Sequence, residues 1–572
     1  MRKKKQKKKF KALNMTSDLK ANLEKDTSFY DVKSQGETYS GTLNQLESQL
    51  EGTKCDENKL EKGLSSRHIQ LIALGGCIGT GLFVGTSSTL HNCGPLPLFL
   101  SFVIISFIVY PVMNTLAEMI CYLPQQGTVP ELVSRYVDPS LGFAAGWNYA
   151  YSYSILVATE LSAAAGVVQY WTDKVHVAVW ITIFLVIVVG LNFAPVKFYG
   201  ESEFWFASLK IICILGLLIV SIVIFFGGAP SHDRLGFRYW NNPGPFAYHI
   251  TGGNTGRFLD IWTAIIKSGF AFILSPELIG LACVEAKDTR RNIEKASRRF
   301  IWRIIFFYIT STLCIGFILS RNDPKLVQAL TSDAPGAASS PFVQGISNAG
   351  IPVLNHIINA VILSSAWSSA NSFMYASSRS ILALAKQGDA PKVFTRINRF
   401  GVPYNAVALS TAVSCLTYLN ASSSSAQVFT WLSNICTISG FIGWALIGIT
   451  YLRFRKAIFY NNLYERVPFK SALQPYFTYF FVVFVVLLCL TNGYATFIPK
   501  YWNASDFVAA YITLPVFFLL YLGHKIWFKT RWYIPFREID VITGLADAEE
   551  EAKMTQPRTP KNMWEKFMYW LL

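Results

Sequence analysis

Residues 75–83 read Gly-Gly-Cys-Ile-Gly-Thr-Gly-Leu-Phe, and they interrupt the first long apolar block of the chain. A second interruption, Phe-Ala-Phe-Ile-Leu-Ser-Pro-Glu at residues 270–277, lies in the sixth block. Glycine and proline breaks at matching positions of two halves indicate an inverted-repeat transporter whose binding site lies at the breaks. Unwound turns leave amide groups to hold an anion and carbonyl groups to hold a cation. An amino acid zwitterion carries one charge of each sign, so its binding needs both kinds of group.

Close helix packing is the alternative explanation for the first break. Gly75 with Gly79, and Gly81 with Gly85, have the small-xxx-small spacing that lets two helices approach closely. The second break, in the sixth block, favours binding. We therefore predict that the first span both binds substrate and packs closely.

The composition is that of a membrane protein. Hydrophobic residues make up 52% of the 572 and charged residues 15%, whereas soluble proteins carry about 25% charged residues. A span needs about 20 apolar residues, and every backbone polar group within lipid must be paired, so the predicted class is all-α integral membrane. Twelve transmembrane helices are predicted, at about residues 68–90, 96–121, 141–171, 178–194, 203–226, 259–284, 300–319, 353–384, 404–419, 428–452, 473–493 and 506–527.

The net charge of +16 lies at the edges of the predicted membrane region rather than in a nucleic-acid-binding patch. Eight of the first eleven residues are Lys or Arg, which favours contact with anionic lipid. With the amino terminus inside, the inner loops carry 18 basic residues and the outer loops 7. This asymmetry predicts that both termini are cytoplasmic.

Several motifs resemble those of fungal amino acid permeases of the amino acid–polyamine–organocation superfamily. The resemblance covers roughly residues 65–545 and includes GGCIGTGLFVG (75–85), LAEM (116–119), YGESEFWFASLK (199–210), FAFILSPEL (270–278) and SSAWSSANSFM (364–374). It implies a proton symporter of the plasma membrane, with helices 1–5 and 6–10 as inverted repeats, two added helices, and helices 1 and 6 broken. It is strongest to members that carry L-proline, with other small neutral amino acids such as alanine or GABA as further substrates. A broad-range permease and a non-transporting amino acid sensor are the alternatives.

The resemblance also implies roles for the residues of the two breaks. Gly79, Thr80 and Gly81 match positions whose amides and hydroxyl hold the substrate carboxylate. Ile78 and Ala271 match positions whose carbonyls take the ammonium. The predicted site is therefore built largely from backbone groups.

Four further side chains complete the substrate site that the resemblance implies. Phe270 resembles an aromatic gate above the substrate, and Trp367 of helix 8 matches a position that lines the pocket. Lys267 and Ser275 resemble a helix 6 pair associated with proline selectivity in related permeases. The two aromatic rings suit the apolar ring of proline.

Charges inside the membrane are costly, so each needs a reason. Glu160, in the middle of helix 3, is predicted to face the cavity and to take up a proton or pair with Lys267; a fixed structural carboxyl is the alternative. Lys210 matches a lysine that stands where sodium-coupled relatives hold a cation, and it is predicted to couple proton and substrate movement. Snorkelling is its alternative, because seven residues place it only about 10 Å from the inner end of the predicted helix.

Three other charged residues are expected to be mainly structural. Glu277 follows Pro276 and is predicted to cap freed amides or hold the unwound turn. Glu118 and Arg379, at the inner ends of helices 2 and 8, are predicted to anchor those ends with some role in gating.

The predicted organisation has three parts: a disordered basic cytoplasmic tail (1–66), a twelve-helix permease domain (67–528) and a cytoplasmic carboxyl-terminal tail (529–572). The sequence contains no HExxH, GxSxG or P-loop motif, so neither an enzyme nor a metal or cofactor site is expected, and the proton gradient is the expected energy source. The expected partners are the amino acid, protons and the bilayer, with ubiquitin-ligase adaptors at the tails by resemblance.

Overall fold

A computed structural model describes residues 79–124, 128–172, 174–284, 288–331, 340–423, 425–554 and 562–563, and the predicted tail 1–66 lies outside these ranges. The described residues contain 21 α-helices and no strand, so the predicted all-α class is confirmed. The helices of the first half are α1 Thr80–Phe83, α2 Gly85–Cys93, α3 Pro95–Tyr122, α4 Val129–Tyr136, α5 Pro139–Val168, α6 Val177–Asn192, α7 Val196–Phe226 and α8 Arg238–Asn241.

The second half follows the same pattern of long apolar helices joined by short ones. Its helices are α9 Gly253–Gly269, α10 Ser275–Val284, α11 Thr289–Ile304, α12 Thr310–Ile318, α13 Pro324–Thr331, α14 Pro341–Asn348, α15 Pro352–Gln387, α16 Tyr404–Ser414, α17 Ser425–Tyr460, α18 Tyr476–Thr491, α19 Ala504–Tyr511, α20 Thr513–Phe528 and α21 Leu545–Met554. A π-helical turn, Ile305–Ile309, joins α11 to α12.

By length and composition, five helices of the described residues could each cross a membrane, and α19 with α20, bent by 43°, would make a sixth. The five are Pro95–Tyr122, Pro139–Val168, Phe198–Phe226, Thr289–Ile318 and Gln427–Tyr460. The other predicted spans also contain helix, but their helices are broken, short or rich in serine. The first and sixth spans are divided between α1 and α2 and between α9 and α10.

One helix boundary differs from the prediction in a way that matters for the site. The fifth helix, α7, begins at Val196 rather than near residue 203, because its first turns are polar and escape a hydropathy criterion. The eighth, α15, is one continuous helix of 36 residues close to the predicted bounds.

Helix pairing follows the expected internal repeat. The third span, α5, packs along the eighth, α15, and the second span, α3, packs against the seventh, formed by α11 and α12. The first span contacts the sixth through α2 and α9. Partners in each pair are five spans apart, which is the relation that a 5+5 inverted repeat produces. Spans 11 and 12, formed by α18 and by α19 with α20, are added outside it.

Candidate substrate and proton site

The two broken helices cross in direct contact. A Cβ atom on Gly81 of α1 would lie 2.8 Å from the Cα of Ala271, closer than real Cβ atoms approach backbone. Gly81 is therefore required by the crossing itself. Gly81 thus provides the close helix packing that was one explanation for the first break. It also lies in the segment that is predicted to bind substrate.

The break in the sixth span is a tight turn between Gly269 and Ser275. Amides of Ala271 and Phe272 bond back to the carbonyls of Ser268 and Gly269, after which the regular helix is lost. Leu274 has φ of 58°, a left-handed conformation that is uncommon for a branched side chain and occurs mostly where function requires it. Ser275 then begins α10, so it lies at the start of the second half-helix.

Tyr308 supports this turn from the seventh span, and the sequence analysis missed it. Its hydroxyl donates a 3.2 Å hydrogen bond to the carbonyl of Ala271, one of the predicted ammonium ligands. Its ring is stacked on Phe272 with centroids 4.6 Å apart. Tyr308 lies in the π-helical turn, and such turns are frequent at functional sites. A lone tyrosine in an apolar block carries little signal in the sequence.

Glu160 faces the first break from α5. Its Oε1 lies 3.1 Å from the position that a Cβ atom on Gly79 would occupy, and the residue is only 2% exposed. Thr80, at the start of α1, lies within hydrogen-bonding reach of the Glu160 carboxylate through both its hydroxyl and its amide. Glu160 therefore contacts the start of the first half-helix directly. Ile78, the other predicted ammonium ligand, lies outside the described residues.

Lys210 of α7 approaches the same place. Its Nζ donates to Ser369 Oγ at 3.2 Å, and that hydroxyl lies 3.5 Å from the Cβ position of Gly79. Fourteen residues separate Lys210 from Val196, which places it about 21 Å along the helix. Lys210 is fully buried and lies within electrostatic range of Glu160. Snorkelling to the near membrane surface is therefore wrong for this residue.

The two predicted aromatic site residues each contact another ring. Phe270 remains partly exposed and meets Phe429 edge-on, with ring centroids 5.5 Å apart. Trp367 meets Phe206 edge-on at 4.9 Å, and its indole Nε1 is buried without a partner. Phe270 therefore lies at the break, beside the Cβ position of Gly85 at 4.0 Å, and its role as a gate stays a prediction.

Lys267 lies apart from Glu160. It is within electrostatic range of Cys93, the last residue of α2, and no ion pair among the described residues joins it to Glu160. The predicted Glu160–Lys267 pair is therefore absent from this conformation. Lys267 lies instead near Cys93, at the end of α2.

A small, partly open cavity lies on the other side of the break, next to α10. Glu277 Oε1 accepts a 3.2 Å hydrogen bond from the Tyr149 hydroxyl, and the indole N–H of Trp444 lies within reach of the same carboxylate. Glu277 thus connects the broken sixth span to α5. The prediction had given it only a capping role at the break and had not included this contact. The cavity is lined by Thr128, Val129, Pro130, Tyr149, Tyr153, Glu277, Leu281, Ser380, Ala383, Leu384 and Gln387.

Glu118 ties the end of α3 to its neighbours. Its Oε2 accepts hydrogen bonds of 2.8 Å from both the Tyr451 hydroxyl and the Ser471 amide. Arg379 lies over the Tyr375 ring at 4.9 Å. These contacts favour the anchoring role predicted for Glu118 and Arg379.

Two broken helices that cross at their breaks, with buried charges beside the crossing, are the arrangement typical of a secondary transporter. In fold the chain is similar to a mutant of the manganese transporter of Eremococcus coleocola. The TM-score is 0.53 at 14% identity, and the match covers 84% of this chain and 94% of that one.

The sequence model of the amino acid permease family matches residues 68–533, and the chain belongs to this family of multi-pass membrane proteins. Among its relatives is a proline-specific permease of Saccharomyces cerevisiae, 60% identical over 90% of this chain and 84% of the relative. A proline-specific permease of Emericella nidulans is 50% identical over 91% and 95%. A dicarboxylic amino acid permease of S. cerevisiae is 40% identical over 87% and 82%.

Proposed function

We propose that this protein imports L-proline across the plasma membrane together with protons. The observation that carries the proposal is the close crossing of the two broken helices at Gly81 and Ala271, which brings the backbone groups of the two breaks next to each other. Two proline-specific relatives at 60% and 50% identity support the choice of substrate. Both termini are cytoplasmic in this proposal, and ubiquitin-ligase adaptors act on the tails.

Substrate recognition uses the two ends of the zwitterion. The amides of Gly79 and Gly81 and the hydroxyl of Thr80 hold the carboxylate, and the Thr80 hydroxyl then exchanges its contact with Glu160 for one with substrate. The Ala271 carbonyl, held by Tyr308, takes the ammonium. Phe270 closes over the apolar ring.

Transport then follows from a rocking motion. The first, second, sixth and seventh spans pack on one another and move against α5, α15 and α17. The cavity beside Glu277 is the exit, and the Tyr149–Glu277 hydrogen bond closes it in this conformation. Glu160 and Lys210 carry the coupled proton, so the proton gradient supplies the energy and no cofactor takes part.

Uptake of radiolabelled proline in permease-deficient yeast that express this chain tests the proposal, with external pH recorded and other amino acids as competitors. We expect saturable accumulation with alkalinisation, blocked mainly by proline and its analogues. Equal inhibition by many amino acids would favour a broad-range permease. Surface expression without uptake of any amino acid would favour a sensor.

A further inference from the structure

A second charged residue of α7, Glu203, is buried within the membrane region and has no role in the steps above. It is fully buried and lies seven residues, or about 10 Å, from the start of the helix at Val196. Its Oε2 accepts a 2.8 Å hydrogen bond from Ser368 Oγ on α15, and its Oε1 has no hydrogen-bond partner. An ionisable residue in such a place is costly, which points to a function.

Glu203 shares a helix face with Lys210. Seven residues make almost two full turns, so the two side chains project from the same side of α7, about 10.5 Å apart along the axis. Lys210 bonds to Ser369, and Glu203 bonds to the adjacent Ser368. The interface between α7 and α15 therefore carries a file of polar groups that leads from the substrate site to the end of α7 predicted to be cytoplasmic.

Among the described residues, the groups that face this file are few. From α7 the contact shown is that of Tyr199, whose hydroxyl bonds to Ser372 at 3.2 Å; Glu201 lies two residues further along the same helix. From α15 they are Tyr375, stacked on Tyr199 at 4.3 Å, and Arg379 over the Tyr375 ring. The other two helices packed on α7 add only neutral groups at this level: α6 contributes Asn192, bonded to Asn371, and α12 has no charged residue.

We propose that Glu203 is the inner station of the proton pathway. Once substrate has left, the proton carried by Glu160 or Lys210 passes by way of the Ser369 and Ser368 hydroxyls to the Glu203 carboxylate. The donor loses one proton, Glu203 becomes a carboxylic acid, and it then gives that proton to cytoplasmic water. Only O–H and N–H bonds form and break, and no co-reactant is needed. The inference rests on the proposed proton coupling.

The test uses the full chain in vesicles with controlled pH on both sides. Glu203→Gln keeps the shape and the acceptor for Ser368 but cannot carry a proton. We expect concentrative proline uptake to fall by roughly tenfold or more. Exchange of labelled for unlabelled proline at equal pH stays within about twofold of wild type, because exchange needs no net proton release. Glu203→Asp restores part of the concentrative uptake.

Glu294→Gln is the matched control, because it neutralises a partly exposed carboxylate that pairs with Arg298 at 2.9 Å; both reactions stay unchanged in this variant. Glu203→Gln vesicles that concentrate proline like wild type overturn the inference. Loss of exchange and uptake together, at normal protein levels, also overturns it, since that outcome marks a structural role.

Ser368→Ala takes over the test if Glu203→Gln fails to insert. It leaves the carboxylate in place, and we expect slower concentrative uptake with normal exchange; unchanged uptake contradicts the pathway. Wild-type vesicles that exchange no proline contradict the proposed substrate instead, and the variants are then compared with the amino acid that is exchanged. Wild-type exchange without proton-driven accumulation refutes the coupling on which the inference rests.

Discussion

Gly81 and Ala271 touch where the two broken helices cross: a Cβ atom on Gly81 would lie 2.8 Å from the Cα of Ala271. The nearest atoms belong to the two backbones. A larger residue at position 81 would therefore clash, and no side-chain movement could relieve that clash. It also fixes the distance between the amides of the first break and the carbonyl of the second. The spacing of the zwitterion's two binding positions therefore depends on this glycine.

Gly81→Ala is expected to lower proline uptake by about tenfold or more at unchanged surface expression, because overpacking at the crossing costs about 1–3 kcal/mol and separates the two breaks. Radiolabelled uptake with surface biotinylation measures both quantities. Gly216→Ala in α7 is the matched control, since nothing lies within 4 Å of its Cβ position. Normal uptake by the Gly81 variant would show that the crossing tolerates a methyl group.

Tyr308→Phe is expected to raise the KM for proline about fivefold with little change in maximal rate. The variant loses one neutral hydrogen bond, worth about 1 kcal/mol, and frees the Ala271 carbonyl to turn from the ammonium. Inhibition constants for proline and for cyclopentanecarboxylate, which has no amine, separate this effect from a general loss of affinity. Only the proline constant rises.

Tyr418→Phe provides the control for that prediction. It removes a comparable hydroxyl, bonded to Thr182 at 2.7 Å between helices far from the breaks. Equal weakening of both inhibitors by Tyr308→Phe would mean that Tyr308 only packs against Phe272.

The fold was largely predictable from the sequence, since apolar blocks and two glycine or proline interruptions mark the spans and the breaks. The burial of charged residues near helix starts was not predictable in this way. Hydropathy places the start of the fifth helix near residue 203, although the structure begins it at Val196. That shift moves Lys210 from the edge of the predicted span to its interior, and it turns Glu203 from the first residue of the predicted span into a buried charge two turns inside the helix.

The parts of the site that join different helices were harder to predict. Tyr308 reaches Ala271 from another span through a π-helical turn, and no periodicity marks such a turn. Tyr149 and Glu277 meet only through the tertiary fold. Backbone binding groups such as the Gly79 amide were predicted only through family resemblance, because a carbonyl or amide leaves no mark on residue type.

Glu160→Gln is expected to abolish proline accumulation against a gradient while exchange continues. The amide keeps the size of the carboxylate beside Gly79 but cannot carry a proton. Proton-driven uptake and exchange in the same vesicles separate the two activities. Lys210→Ala is the companion variant, and full accumulation in both would discard both residues as coupling groups.

Gly443→Ala is expected to slow substrate release. A Cβ atom there would lie 2.5 Å from the Tyr149 hydroxyl and 3.4 Å from Glu277 Oε1, so the added methyl disturbs the hydrogen bond that closes the exit. We expect the maximal rate of net uptake to fall several-fold while the external KM stays close to wild type. Gly190→Ala, in open space on α6, serves as control. A changed KM with an unchanged rate would place Gly443 at substrate binding instead.

The carboxyl-terminal segment docks on the face of the helices that is predicted to be cytoplasmic, and Asp540 is central to this contact. Arg135 of α4 forms a 3.2 Å ion pair with Asp540 and donates hydrogen bonds to the carbonyls of Asp540 and Thr543. The Asp540 carboxylate also accepts from the amides of Ile542 and Thr543. Burial alone would raise the pKa of Asp540, but Arg135 and these amides together hold it below its ordinary value.

Because the folded-state pKa of Asp540 is lowered, its stabilising effect is complete above the ordinary carboxylate pKa of about 4 and is lost as the pH falls through the lower folded value. Asp540→Asn is therefore expected to unfold at a lower temperature than wild type in detergent, by a constant margin from pH 7 to pH 5 that narrows below about pH 4. Thermal unfolding across this pH range measures the margin. Glu550→Gln, on the exposed face of α21, should match wild type throughout. A margin that is the same at every pH would mean that Asp540 acts through packing rather than through its charge.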